Sequence, residues 1–123
     1  MALFTILTCI ALTAVDGDTV KCDGVNLRPM GSGAPYVSGF DTPEVRQHAD
    51  CPLENHLGIM ATAQMSKYLQ TDGLVIEDSG QLDVFKRPLV VLRLPDGTTI
   101  GQHLIEGGYA RIWTPKYKAN WCD

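Results

Sequence analysis

Three short polar segments of this sequence carry carboxylates or an arginine at the ends of apolar runs. Residues 16–19 read DGDT, residues 41–44 read DTPE, and residues 83–89 read DVFKRPL. Hydrolysis of a phosphodiester requires charge neutralisation at a crowded anionic centre and a water molecule delivered in line. Carboxylates, a bound metal ion and arginines can together meet both requirements. These segments are therefore the candidates for a site.

The oxygen atoms of the first two segments suit a hard cation. Calcium takes oxygen ligands, and Asp18 and Asp41 can each contribute a carboxylate. The backbone carbonyl of Thr42 has a defined direction, because the following Pro43 holds that residue extended. The sequence therefore predicts a Ca2+ site made by Asp18, Asp41 and the Thr42 carbonyl.

Glu44 and Arg87 are the candidates for proton transfer and for phosphate contact. Glu44 lies close enough in sequence to Asp41 to orient or deprotonate a water molecule associated with the metal. Arg87 can contact phosphoryl oxygens through two parallel hydrogen bonds, and its guanidinium group stays protonated.

Each segment also has a simpler explanation when it is considered alone. DGDT is common turn chemistry between two strands. DTPE could be a helix N-terminus with an acidic cap. Arg87 could be a solvated strand residue. The combination of all three in one short chain favours the chemical interpretation.

The apolar and β-branched runs predict the elements that must position these residues. In chain order we expect strands at residues 4–15, 19–22 (extended by 25–30) and 36–40, a helix at 54–70, strands at 74–77 and 84–94, a helix from 98 or 99 to about 106, and an extended segment at 109–113. This order fits an antiparallel barrel with a helix inserted after the third strand, and it also fits an open α+β sheet. The 123 residues predict one domain, spanning 1–123.

The four cysteines are compatible with two disulfides and an oxidising compartment. The favoured pairing joins Cys9 to Cys22, since both lie on the arms of a hairpin that turns near residues 16–17. Cys51 would then join Cys122 and anchor the C-terminus. Four buried free thiols in a cytosolic protein are the alternative.

Charge and hydropathy limit the partners and the location. The net charge of −4 is unusual for a nucleic-acid-binding protein, so any face that binds a polyanion must be local. The sequence has no run of 18 apolar residues, so no transmembrane helix is predicted. The apolar run at residues 2–15 is interpreted as a strand, and we expect an exported form to have lost its signal sequence before this chain begins. We expect a monomer that does not bind membranes.

The three segments, taken together and in order, resemble the signatures of the staphylococcal nuclease (thermonuclease) family. VDGDTV at residues 15–20 is similar to the first signature, and FDTPE at 40–44 to the second. DVFKRPL at 83–89 resembles the third, in which the family has Asp, a variable residue, Tyr, Gly and Arg. Residues 97–110 resemble the final helix and turn of the family, so the likeness covers nearly the whole chain.

The resemblance implies a five-stranded OB-fold-like barrel with two or three helices. It implies that Asp18, Asp41 and the Thr42 carbonyl bind calcium and that Glu44 activates water. Arg87 matches the arginine that stabilises the transition state. The second arginine of the family corresponds to Arg28 in this chain. The implied activity is calcium-dependent cleavage of the 5′ P–O bond of DNA or RNA, which leaves 3′-phosphate ends.

This chain departs from the family pattern in ways that keep a second function open. Extra residues at roughly 31–38 separate Arg28 from Asp41, and Phe85-Lys86 replaces Tyr-Gly. The chain also ends soon after Trp113, so a third helix is not expected. The alternative is a catalytically weak or inactive module of the same fold that binds nucleic acid or protein.

Overall fold

The computed structural model describes residues 4–31, 39–114 and 117–122. The strands are β1 (Thr5–Leu7), β2 (Leu12–Asp16), β3 (Thr19–Cys22), β4 (Val25–Met30), β5 (Gly39–Asp41), β6 (Val75–Leu82), β7 (Pro88–Arg93) and β8 (Arg111–Trp113). The helices are α1 (Pro52–Leu69) and α2 (Ile100–Glu106), with a short 3-10 helix at Arg46–His48.

The eight strands form one mixed, unclosed sheet. Six of them follow the order β1-β6-β7-β4-β3-β2, while β5 pairs with both β4 and β8. β4 and β7 are parallel, and the other pairs are antiparallel. The α+β class is confirmed, but the sheet has more strands than the five that were expected. No ladder joins β1 to β2 in the described part of the chain.

One cause of the higher strand number is an interruption of the strand expected at residues 4–15. The carboxylate of Asp23 accepts hydrogen bonds from the backbone N–H groups of Ile10 and Ala11, at 3.0 and 2.7 Å. The N–H of Asp23 donates in turn to the Ala11 carbonyl at 2.9 Å. These bonds take the place of sheet pairing at this point, so the run divides into β1 and β2.

The first hairpin is closed by the expected disulfide. β2 and β3 pair antiparallel, with Leu12 opposite Cys22, and turn at residues 17–18. Cys9 and Cys22 are bonded, with their Cα atoms 5.4 Å apart. Cys51 and Cys122 form the second disulfide. Both predicted pairings are confirmed, and two disulfides are compatible with an oxidising compartment.

Both predicted helices are present, and each begins at a side-chain cap. Cys51 precedes α1, and its Sγ accepts from the N–H of Glu54 at 3.4 Å. Thr99 precedes α2, and its hydroxyl accepts from the N–H of Gln102 at 3.1 Å. A cap that satisfies an otherwise unpaired N–H fixes the first turn of a helix. No helix in the described ranges is both long enough and apolar enough to span a membrane.

The helices pack on the sheet around one main apolar cluster. Its fully buried members are Val20, Leu27, Phe40, Met65, Val90, Leu92, Ile100 and Leu104. Phe40 and Val20 adjoin the two acidic segments in sequence, so the core fixes the backbone on which those segments lie.

Two further strands differ from expectation. β6 continues to Leu82 instead of ending near residue 77, and β7 begins only at Pro88. Residues 83–87 form a turn between them, because the Asp83 carboxylate bonds to the backbone of the turn.

The strand expected at 36–40 is described only from Gly39, since residues 32–38 lie outside the described residues. Residues 117–122 are not helical, as expected.

Candidate active site

A cleft of about 880 Å3 opens beside the β2–β3 turn, β5 and the turn at 83–87. Its charged lining residues are Asp16, Asp18, Arg28, Asp41, Glu44, Arg46, His48, Asp83 and Arg87. Five of the six predicted site residues are therefore in this lining, although they come from four separate segments. The sixth, Thr42, is buried next to Asp41 and bonds to Asp18.

The DGDT segment is a tight turn held against the DTPE segment. Asp16 Oδ1 accepts from the N–H of Asp18 at 3.0 Å, which closes the turn. A Cβ on Gly17 would lie 2.6 Å from Thr42 Oγ1 and 2.8 Å from the Cβ of Ala61 in α1. Only glycine fits between these groups, so residue 17 lets the two acidic segments approach each other.

Asp18 joins the two acidic segments directly. Its Oδ2 accepts from the backbone N–H of Thr42 at 3.1 Å. The same oxygen lies 3.1 Å from Nη1 of Arg28, and both side chains are nearly buried. A buried carboxylate is stable when it has such partners.

Arg28, on β4, reaches the site in spite of the extra residues that follow it. Its Nη1 donates to the Asp18 carbonyl at 2.7 Å, and its Nη2 donates to the Phe40 carbonyl. Its guanidinium carbon lies 5.7 Å from the centre of the Phe40 ring. Arg28 thus bridges the residues that precede Asp41 to the DGDT turn. The inserted segment itself falls largely on residues 32–38, outside the described residues.

Glu44 is held at the cleft by a second glutamate. The carboxylate of Glu54, in the first turn of α1, accepts from the N–H of Glu44 at 2.9 Å and from the N–H of Asp50 at 2.8 Å. A Cβ on Gly58 would lie 2.6 Å from the Glu44 carbonyl, so α1 packs directly on this loop. Because α1 begins at Pro52 with Cys51 as its cap, the DTPE segment is not a helix N-terminus.

Arg87 lies across the cleft at the end of the turn formed by residues 83–87. Its Nε donates to Asp83 Oδ2 at 2.7 Å, and its Nη1 donates to Thr19 Oγ1 at 3.0 Å. The Asp83 Oδ1 atom accepts from the N–H of Arg87 at 2.8 Å. Lys86 has a φ of 63°, a conformation that favours glycine, and Phe85 is 76% exposed. Arg87 is therefore a positioned side chain rather than a solvated strand residue.

The carboxylates of the cleft raise the pKa values of one another. Burial, and after it the charge of Asp18, raises the pKa of Asp16 to about 7. Burial and then the Asp18 charge also raise the pKa of Asp41. Burial, followed by the charges of Asp18 and Asp41, raises the pKa of Glu44. This part of the cleft holds more negative charge than Arg28 compensates.

The uncompensated charge and the oxygen donors fit a hard divalent cation. Within residues 4–31, 39–114 and 117–122, no group of three or more acidic, histidine or cysteine side chains is arranged to hold a metal ion. The predicted Ca2+ set needs only two carboxylates, Asp18 and Asp41, together with the Thr42 carbonyl, and calcium in proteins also takes water ligands. Asp18 Oδ2 is already engaged, so a ligand role would fall to its Oδ1.

Comparison with known proteins gives no family assignment. No protein-family model matches the chain. No curated protein matches it either. The chemistry of the cleft therefore has to be argued from its own residues.

Four residues of the site were not among the sequence-based candidates. Asp16 was assigned only to the turn, although the DGDT signal could have suggested a second carboxylate in the cleft. Asp83 begins the DVFKRPL segment, of which only Arg87 was a candidate. Glu54 and Trp121 act on residues 10 and 80 positions away, and no local pattern indicates such contacts.

Proposed function

We propose that this protein is a calcium-dependent nuclease of the staphylococcal-nuclease type, which hydrolyses phosphodiester bonds of DNA or RNA. The observation that carries the proposal is the presence of Asp18, Asp41, Glu44, Arg28 and Arg87 in one cleft. These residues provide oxygen ligands, a base and two phosphate-binding cations, which are the groups that phosphodiester hydrolysis requires.

Asp18, Asp41 and the Thr42 carbonyl would hold the calcium ion. When bound, the ion would neutralise phosphate charge and increase the acidity of an associated water molecule. The burial and mutual repulsion of the carboxylates support this assignment, since both raise the pKa values of Asp41 and Glu44.

Glu44 would take the proton of the attacking water. Its backbone is fixed by the Glu54 carboxylate, while its side chain faces the cleft next to Asp41. Burial and the nearby charges of Asp18 and Asp41 raise the pKa of Glu44, which makes its carboxylate a stronger base than an exposed one.

Arg87 would donate to the non-bridging oxygens of the phosphate. Asp83 and Thr19 engage its Nε and Nη1, and no described residue accepts a hydrogen bond from its Nη2. That nitrogen is the donor we assign to the substrate. Arg28 would add positive charge near the same phosphate, although its donors also bond to protein carbonyls.

The wider proposal covers the fold, the products and the location. We propose an OB-like barrel, which is supported by the sheet order: its two end strands, β1 and β2, are separated by only four residues of the same run. The products would carry 3′-phosphates, as the family resemblance implies. Two disulfides support a secreted or periplasmic setting. We propose that the protein acts as a monomer.

The test is incubation of labelled single-stranded DNA and RNA with the protein in Ca2+ and in excess chelator. We expect cleavage in Ca2+ only, and we expect a 3′-phosphatase to remove the terminal phosphates of the products. Glu106→Gln, an exposed site on α2, serves as the control carboxylate variant. Retention of uncut nucleic acid in a gel-shift assay, without cleavage, would instead support the binding module.

A further inference from the structure

The C-terminal residues 117–122 lie against a predicted calcium ligand. Trp121 is only 6% exposed, and its indole N–H donates to Asp41 Oδ2 at 3.3 Å. Oδ2 is thereby tied to a rigid aromatic side chain in the protein interior. A hydrogen bond from a rigid indole favours one orientation of the carboxylate.

Trp121 is itself held by Arg111, which contacts both its ring and the backbone of the preceding residue. The guanidinium carbon of Arg111 lies 3.9 Å from the centre of the Trp121 ring. Nη1 of Arg111 also donates to the Asn120 carbonyl at 2.8 Å. Arg111 lies opposite Asp41 in the pairing of β8 with β5, so the same ladder carries the ligand and the residue that fixes Trp121.

The Cys51–Cys122 disulfide connects this segment to the support of the predicted base. Cys122 follows Trp121 directly, and Cys51 caps α1 three residues before Glu54. Glu54 holds the backbone N–H of Glu44. One covalent bond therefore lies next to the supports of both Asp41 and Glu44.

We infer that Trp121 is a positioning residue for cation binding, and that the Cys51–Cys122 disulfide keeps it in place. This inference rests on the proposed calcium site. Groups that orient metal ligands typically change metal affinity by about 10–100-fold when they are removed. Loss of this disulfide would then lower the calcium affinity of the protein.

The first test is calorimetric titration of the metal-free protein with CaCl2, without nucleic acid, for wild type and Trp121→Phe. Phenylalanine keeps an aromatic ring but removes the N–H. We expect the Kd for Ca2+ to rise about 10-fold or more. We also expect the rate of DNA cleavage by the variant to recover at high Ca2+, which a merely structural defect would not show.

A Trp121→Phe variant with the calcium affinity of wild type would overturn the inference while leaving the nuclease proposal intact. A wild-type protein that binds no calcium would overturn the calcium site, and the inference with it. The two failures are distinguished by the wild-type titration.

The second test compares the two disulfides by the same titration. Cys51→Ser/Cys122→Ser should weaken calcium binding to a similar extent as Trp121→Phe, and serine preserves a capping oxygen for α1. Cys9→Ser/Cys22→Ser, the matched control, should leave the affinity unchanged. Equal losses from both pairs would contradict a specific role for the Cys51–Cys122 bond.

Discussion

The two walls of the cleft hold their charges in opposite ways. One wall, here called the acidic wall, comprises Asp16, Asp18, Asp41 and Glu44. Burial and neighbouring charge raise the pKa of Asp16, Asp41 and Glu44. Asp18 is paired with Arg28. The wall stores unfavourable repulsion that a bound cation can relieve.

The other wall is the arginine turn, residues 83–87. Although burial acts to raise the pKa of Asp83, hydrogen bonds from Arg87 lower it. The charges of Asp83 and Arg87 are therefore paired with each other within this turn. We propose a division of roles, in which the acidic wall would bind a cation and the arginine turn would present a preformed cationic group to the substrate.

The largest effect on stability is expected at Arg28, the counter-charge inside the acidic wall. Arg28→Ala removes the cation paired with the nearly buried Asp18 carboxylate and the donor to two backbone carbonyls. We expect the free energy of unfolding to fall by about 3 kcal/mol, as for a broken buried ion pair. We also expect hydrolysis to fall by on the order of 10²–10³-fold. Urea denaturation of the metal-free protein measures the first effect, and unchanged stability would contradict the role given to Arg28.

Arg87→Ala should separate activity from stability. Its ion pair with Asp83 is partly exposed, so we expect a loss of about 1 kcal/mol or less in the free energy of unfolding. Hydrolysis should fall by on the order of 10²–10³-fold, with little change in the affinity for Ca2+. Arg93→Ala is the matched control, because Arg93 pairs with Glu77 at the far end of β7. Equal loss of activity in both variants would remove Arg87 from the site.

The acidic wall also predicts how stability depends on pH. The pKa of Asp16 is raised from 3.8 to about 7 in the folded protein, so folding favours its protonated form. The stabilisation is fully present below the unfolded pKa and is lost as pH rises through the folded value. The Tm of the metal-free protein should therefore fall between pH 4 and about 7 from this group. Saturating Ca2+ should oppose the fall. An Asp16→Asn variant whose Tm changes with pH as that of wild type does, with chelator present, would contradict the raised pKa of Asp16.

The smallest effect is expected in the arginine turn itself. Lys86 has a φ of 63°, a conformation that costs a side-chain-bearing residue about 1 kcal/mol. Lys86→Gly should thus raise the free energy of unfolding by less than about 1 kcal/mol, since glycine also gains freedom in the unfolded chain. Chemical denaturation checks the change. A clear loss of stability would show that the Lys86 side chain contributes contacts that outweigh the strain.

Local features of this chain could be predicted from sequence, while contacts between distant residues could not. The hairpin at residues 16–18 and the two helices follow from turn residues, apolar spacing and caps, and both disulfides follow from the hairpin. The division of the first strand depends on the carboxylate of Asp23. It accepts hydrogen bonds from the backbone N–H groups of Ile10 and Ala11, which lie 13 and 12 positions earlier in the chain.

The residues of the candidate site could likewise be predicted only where they lie in local motifs. The carboxylates and arginines could be proposed because they lie in recognisable segments. Glu54 and Trp121 could not, since their roles arise only when α1 and the C-terminal segment fold against residues 41–44. Such residues contact the site only in the folded protein, so neither their spacing nor a local motif identifies them in a single sequence.

The most direct test of the central proposal is the rate of single-stranded DNA hydrolysis by wild type and Glu44→Gln as Ca2+ is titrated. Glutamine keeps the size of the side chain but cannot accept the proton, so we expect a loss of about 10²–10⁴-fold at saturating Ca2+. The wild-type rate should rise with Ca2+ and vanish with chelator. Equal rates for the two proteins, or wild-type hydrolysis that persists in chelator, would contradict a calcium-dependent site that uses Glu44 as its base.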